Sequence, residues 1–308
     1  MSSYLFVKPI GQIFPNTSVE IFSVTSDDTV NSAFKKMVEK KVLSLPIFDT
    51  VHRRFNKFID MVDIVTFCMK HLTSKELNDM DLNFIVETKD IFKSHKVGDI
   101  CDLSERNPFC PVESSAPLNV AIELMVKWNV HRIPVIDSEG NLISILTQSR
   151  VIEYCNNHAM ELNNEHQLSK RLDELPLIGT SPVLSIGDDK MAIEAFKLIY
   201  DNRVSAVSVV DKDEILVGNI SVSDLRMIGS DGSLLGRLFL PINTFMAMVP
   251  KDTKSPFFNV ICCRDSTTLE EVLVKFQLSK VHRIYLVDDQ MKPKRCISQG
   301  DILKYLSL

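Results

Sequence analysis

The sequence contains no run of about 18 apolar residues, so no segment reads as a membrane-spanning helix. It has no basic excess: 35 Lys and Arg stand against 40 Asp and Glu, a net charge of −5. A broad cationic face for duplex nucleic acid is thereby excluded, and only a local anion site remains open. The motifs G-x-x-x-x-G-K-[ST], G-x-S-x-G, H-E-x-x-H and D-F-G are all missing. A catalytic reading therefore has no residues to rest on. The seven cysteines include no C-x-x-C spacing, and the opening stretch MSSYLFVKPIGQIF lacks the charged and apolar regions of an export signal. Reduced thiols in the cytoplasm or nucleus are expected. Adjacent Cys262 and Cys263 would point to opposite faces of a strand. His158, Glu161, Glu165 and His166 fall on a polar stretch that reads as a solvated helix, so no metal site is expected.

The 308 residues are 45% hydrophobic, 24% charged and 7% aromatic, a globular composition long enough for about two domains. Internal repetition dominates the rest. VHRIPVID begins at Val130 and VHRIYLVD at Val281; weaker relatives, VLSLPIFD and VSAVSVVD, begin at Val42 and Val204. Upstream of the valines lie Ala33, Phe34 and Met37; Ala121, Ile122 and Met125; Ala195, Phe196 and Ile199; Val272, Leu273 and Phe276. Offsets of i, i+1 and i+4 place each set on one helix face. Each octet is short and β-rich and ends in Asp49, Asp137, Asp211 or Asp288, which reads as turn formation.

Downstream, 20 or 21 residues after each valine, a second strand-to-helix junction recurs in FIDMVDIVTF, ISILTQSRVIEY, GNISVSDLRMI and CISQGDILKYL. Its register position holds Asp63, Arg150, Asp224 and Asp301. Each unit reads strand, helix, strand, strand, helix. A sheet in so small a unit buries poorly alone, so pairing is expected. The boundaries are an N-terminal segment 1–18, repeats at 19–72, 95–158, 170–230 and 231–308, an insertion at 73–94 and a linker at 159–169. Consecutive repeats would then share cores in two domains, about 1–160 and 161–308.

The strings VHRIPVID, ILTQSRVI, GNISVSDLR and VHRIYLVDD resemble cystathionine-β-synthase (CBS) domains. Four of them, with His-Arg after the valine in units two and four, resemble the gamma regulatory subunit of AMP-activated and sucrose-nonfermenting-type protein kinases. The resemblance implies an α+β fold, with four CBS repeats paired into two Bateman modules that form a flat disc. It implies a regulatory subunit that senses AMP, ADP or ATP and pairs with kinase alpha and beta subunits, without catalysis or cofactor. It assigns ribose binding to Asp224, Asp301 and Asp63 and phosphate binding to His131, Arg132, His282, Arg283, Thr147, Ser221 and Ser298. Arg150, where an aspartate belongs, would block its site. A stand-alone four-CBS protein that regulates another enzyme, such as a phosphatase, and binds no nucleotide is the alternative.

These assignments have a physical basis. A carboxylate in the first turn of a helix can accept two hydrogen bonds from a ribose diol. A hydroxyl three residues earlier, with helix N–H groups, suits phosphate, and arginine offers it a fixed fork. The same aspartates are also favoured helix caps. Unit one departs at Leu43 and at Asp60, where a second acid would repel phosphate. Only Gly218 keeps the small glycine six residues before the register position; Lys57, Ser144 and Arg295 replace it. His52-Arg53 is out of register and reads as loop surface, and Trp128 and Tyr154 read as packing residues.

Overall fold

The computed structural model describes residues 4–15, 20–71, 92–229, 234–248 and 260–307. The expected insertion lies outside them through residue 91. A strand starts two residues after each repeat valine, and the next strand ends three residues before each register position. Repeat one comprises β1 (Val24–Thr25), α1 (Val30–Glu39), β2 (Ser44–Asp49), β3 (Arg54–Asp60) and α2 (Met61–His71). Repeat two comprises β4 (Val112–Glu113), α3 (Leu118–Lys127), β5 (Arg132–Ile136), β6 (Leu142–Thr147) and α4 (Gln148–Asn157). Repeat three comprises β7 (Ser185–Gly187), α5 (Ala192–Asp201), β8 (Ala206–Val210) and β9 (Leu216–Ser221), and closes on a 3-10 helix, Val222–Ile228. Repeat four comprises β10 (Cys262–Cys263), α6 (Leu269–Ser279), β11 (Arg283–Val287), β12 (Pro293–Ser298) and α7 (Gln299–Leu306).

Each repeat forms one three-stranded sheet. Its first strand runs parallel to the second, as the intervening helix requires, and the third returns antiparallel after a turn. The terminal aspartates make that turn. Oδ1 of Asp137, Asp211 and Asp288 accepts backbone N–H groups two and four residues on, and Asp49 Oδ1 accepts those of Val51 and His52. His52 also reaches Asp49 Oδ2 at 2.8 Å and stays on the surface. The predicted helix faces are buried: Ala33, Phe34 and Met37 on α1, and Val272, Leu273 and Phe276 on α6. Thr29 and Thr268 cap these helices by accepting N–H groups three residues on.

Segments that precede one repeat pack on its neighbour. Residues leading into repeat one lie on repeat two, through Ile10 N–H to Ala116 O and Leu118 N–H to Lys8 O. Residues leading into repeat two lie on repeat one, through Val30 N–H to His95 O and Gly98 N–H to Ser26 O. Repeats three and four exchange likewise, through Ala192 N–H to Leu240 O and Leu269 N–H to Lys170 O. Consecutive repeats thus exchange their leading segments.

The shared helical cores join alternate repeats, which corrects the expectation of one core in 1–160 and another in 161–308. Unit 1 comprises Met1–Ile21, Arg106–Val183 and Asn259–Leu308, and unit 2 comprises Phe22–Glu105 and Leu184–Phe258. In unit 1, α4 packs on α6 and α7, which puts repeat two against repeat four. In unit 2, α2 packs on α5 and on the 3-10 helix 222–228, which puts repeat one against repeat three. All four repeats carry equivalent apolar faces, so periodicity sets each face without saying which copy covers it. The expected linker is also structural: helix Ala159–His166 inserts Leu162 fully into the unit 1 core, followed by Leu168. Tyr154 packs as expected, edge to face with Phe14, whereas Trp128 is half exposed at the end of α3. No helix among the described residues is long and apolar enough to cross a membrane.

Candidate functional site

In unit 1 the N-termini of α4 and α7 meet. Ser149 Oγ donates to Gln299 Oε1 at 2.9 Å, and a Cβ added at Gly300 would lie 3.4 Å from Gln148 Nε2. Each His-Arg pair is tied to its own helix start. The Gln148 and Gln299 N–H groups donate to His131 O and His282 O, and their side-chain amides donate to Val130 O and Val281 O, both at 3.1 Å. The next residues pair across the hairpins, Arg132 opposite Thr147 and Arg283 opposite Ser298.

The two pairs share one electrostatic neighbourhood. His131 keeps some accessible surface yet lies deep among protein atoms, and depth governs its titration. Its pKa is pushed down to about 3 by burial and then by the charges of Arg132, His282, Arg283 and Arg106. Arg132 and Arg283 thus stand beside the residues that open α4 and α7, and the charges that bear on His131 are all positive, which suits an anion. Arg106 also bears electrostatically on His131 and had no signal in the sequence, because it stands outside the repeated pattern.

Asp301 sits in the first turn of α7. Its Oδ2 accepts from Ser298 N–H at 2.8 Å and Ser298 Oγ at 2.6 Å, and Asp301 N–H donates back to Ser298 Oγ. Oδ1 accepts no hydrogen bond among the described residues, so half of the carboxylate remains for a diol. In repeat two, Thr147 caps α4 by accepting Arg150 N–H. The Arg150 guanidinium lies 5.0 Å from the Phe14 ring centroid, a cation–π contact that holds the N-terminal segment.

Unit 2 differs. Asp224 Oδ2 accepts from Ser221 N–H at 2.7 Å and Ser221 Oγ at 2.8 Å, the arrangement found at Asp301. Unit 2 carries Leu43, Ser205 and Ala206 where unit 1 carries its cations. Asp63 is 2% exposed, and both of its oxygens are engaged, Oδ2 by Asp60 N–H and Oδ1 by Ser104 N–H, each at 3.0 Å. Burial, and then the Asp60 carboxylate, push its pKa above the usual carboxylate range, against the opposing hydrogen bonds from Ser104 and Asp60. Burial therefore favours the protonated form of the Asp63 carboxyl.

A folded-state pKa raised above the ordinary 3.8 has a defined sign. The folded protein holds the extra proton, so this contribution is greatest below 3.8 and is lost as pH rises toward the folded value. Urea unfolding of wild type and Asp63→Asn should therefore show the wild type losing ground to the variant between about pH 4.5 and about pH 7.5. A constant difference would show that Asp63 titrates normally.

The position six residues before the register site contacts these exchanged segments. Met246 lies over Gly218, where an added Cβ would collide with its Cε and Sδ. Arg295 instead donates to Leu172 O, Leu175 O and Ile178 O, at 2.6, 2.8 and 2.9 Å. Gly218 thus makes room for this chain's own methionine. Among the described residues, no three His, Cys, Asp or Glu gather as a metal site.

Four α+β repeats that exchange their leading segments in pairs, with polar junctions at strand ends, define a tandem-module protein. The CBS-domain family model matches residues 97–157, 177–231 and 254–308, more than half of the chain, and the protein belongs to the CBS-domain family. Among its relatives, Protein SDS23 of Candida albicans is 27% identical over 300 residues, covering 88% of this chain and 47% of the relative. The SNF1-related protein kinase regulatory subunit gamma-1 of Arabidopsis thaliana is 28% identical over 234 residues, covering 72% and 55%. This chain spans about half the length of such relatives. Protein MJ1225 of Methanocaldococcus jannaschii, a proposed archaeal homolog of the gamma subunit of AMP-activated protein kinase, shares the fold. It has a TM-score of 0.74 and 19% identity, covering 96% of this chain and 99% of that one.

Proposed function

We propose that the protein is an adenine-nucleotide-sensing regulatory subunit of the gamma type, acting on a Ser/Thr kinase through alpha and beta subunits, and is not itself an enzyme. AMP, ADP or ATP would place its phosphate among His131, Arg132, His282, Arg283 and Arg106, with the ribose on Asp301. Thr147 and Ser298 would add hydroxyls at the same helix starts, and Ser221 with Asp224 would form a corresponding site in unit 2. The observation that carries this reading is the placing of Arg132 beside Thr147 and Arg283 beside Ser298 at two helix starts that Ser149 and Gln299 join. Similarity to plant and Dictyostelium gamma subunits supports it. A nucleotide regulates only by binding one conformation better than another.

A hydrogen bond to a charged group contributes about 1.5–3 kcal/mol, or about 10- to 100-fold in affinity. Calorimetry should show AMP weakened by about that factor in Asp301→Ala and in Asp224→Ala, with Asp63→Ala near wild type. Melting curves control for the lost helix caps. Equal loss in all three variants would refute the assignment. The SDS23 similarity favours a second reading, a stand-alone four-CBS regulator of another enzyme. Absence of both nucleotide binding and kinase-subunit co-purification would select it.

A further inference from the structure

The junction of repeat one carries its own stand-ins for both halves of a nucleotide. Asp60 Oδ1 accepts the Val62 and Asp63 N–H groups at 2.8 and 3.0 Å, so a carboxylate oxygen takes helix-start donors that a phosphate oxygen would take. Ser104 N–H donates to Asp63 Oδ1 at 3.0 Å, as a ribose hydroxyl would. The two stand-ins differ in permanence. Asp60 is 1% exposed and belongs to the strand-to-helix junction itself. Ser104 arrives on the segment after the short helix Val97–Ile100. Arg203 of repeat three holds that segment through one nitrogen, Nη2, which donates to both Ser104 O and Glu105 O at 3.4 and 3.5 Å. These bonds are long against the usual 2.9 Å or so. Asp102 and Glu105 adopt left-handed backbone, with φ of 61° and 53°, which costs energy in residues other than glycine. Ser104 Oγ is buried close enough to bear on the Asp63 carboxyl, yet it makes no hydrogen bond of good geometry. That also costs stability. The segment therefore closes against strain and under a weak hold, and all of these residues belong to unit 2.

We propose that repeat one holds a latent site for a nucleoside and not a nucleotide: Leu103–Glu105 is a plug on the diol side of Asp63, latched by Arg203, while Asp60 keeps the phosphate side closed. The proposal rests on the reading of these junctions as adenine-nucleotide sites and adds one of different selectivity. With the plug out, Asp63 keeps the Asp60 N–H on Oδ2 and regains Oδ1 as an acceptor, the arrangement seen at Asp301. A 5′-phosphate would meet the Asp60 carboxylate, and Leu43 and Ser44 stand where repeat two has His131 and Arg132. Adenosine then enters and AMP does not.

The test uses the full chain, with adenosine and AMP as probes. In calorimetry Arg203→Ala should bind one more adenosine per chain than wild type, with the AMP count unchanged. Its Ser104 amide should exchange about tenfold faster, because the latch is lost. Adding Asp63→Ala should remove the extra adenosine, and adding Asp60→Ser should admit AMP to the same site. Arg203→Lys should fall between Arg203→Ala and wild type in exchange rate. Ser104→Pro removes the N–H itself and should give the same adenosine gain, which keeps the test decisive where Arg203→Ala does not fold. An unchanged adenosine count in both variants, or an AMP gain equal to the adenosine gain, overturns the proposal. If wild type binds no AMP and Arg203→Ala still gains adenosine, the sensing function falls and the latent site stands.

Discussion

Arg283→Ala should weaken AMP about 100-fold and leave adenosine within about threefold of wild type, because the guanidinium fork reads phosphate oxygens and not the base. Its setting makes Arg283 the most exacting member of the centre. It starts β11, pairs across the hairpin with Ser298 at the start of α7, and acts electrostatically on both His131 and Cys296. Losing it removes a bidentate partner and leaves a bound phosphate facing fewer charges. Paired calorimetric titrations measure the split, and melting curves supply a second readout. Ligand at 100 times its dissociation constant should add about 2.7 kcal/mol to the wild-type fold, and the same AMP concentration should add much less to the variant. Equal losses for AMP and adenosine would place Arg283 away from the phosphate.

Much of this was legible in the sequence, for a local reason. The valines at 42, 130, 204 and 281 mark strand starts because helix and strand periods depend on residues a few positions apart. The equivalence of His131-Arg132 with His282-Arg283 followed from the same register. Choice of packing partner did not, since it depends on which of four equivalent apolar faces meet. Arg106 escaped for a related reason: it lies ahead of β4, outside the recurring elements, and has no copy to compare with. Asp63 departs from its register equivalents in the opposite sense. Register makes it the equal of Asp224 and Asp301, but Ser104 and Asp60 take both of its oxygens, and no spacing rule reveals a backbone donor 41 residues away.

Phe196→Ala should destabilise the protein by about 3–5 kcal/mol, and the damage should cross from repeat three into repeat one. Phe196 is fully buried on α5, its ring 6.1 Å from that of Phe245 and edge-on to it at 84°. Helix α5 packs on α2, so the cavity opens within a core shared by repeats one and three. Native-state hydrogen exchange should show faster opening of the Met61–His71 helix, while α4, α6 and α7 keep their protection. Had consecutive repeats shared cores, the same substitution would instead loosen repeat four. The location of the lost protection therefore decides how the repeats are paired. Its size separates cavity formation from a surface effect, which falls within about 0.5 kcal/mol. Protection lost in α6 and α7 but kept in α2 would overturn the alternate packing.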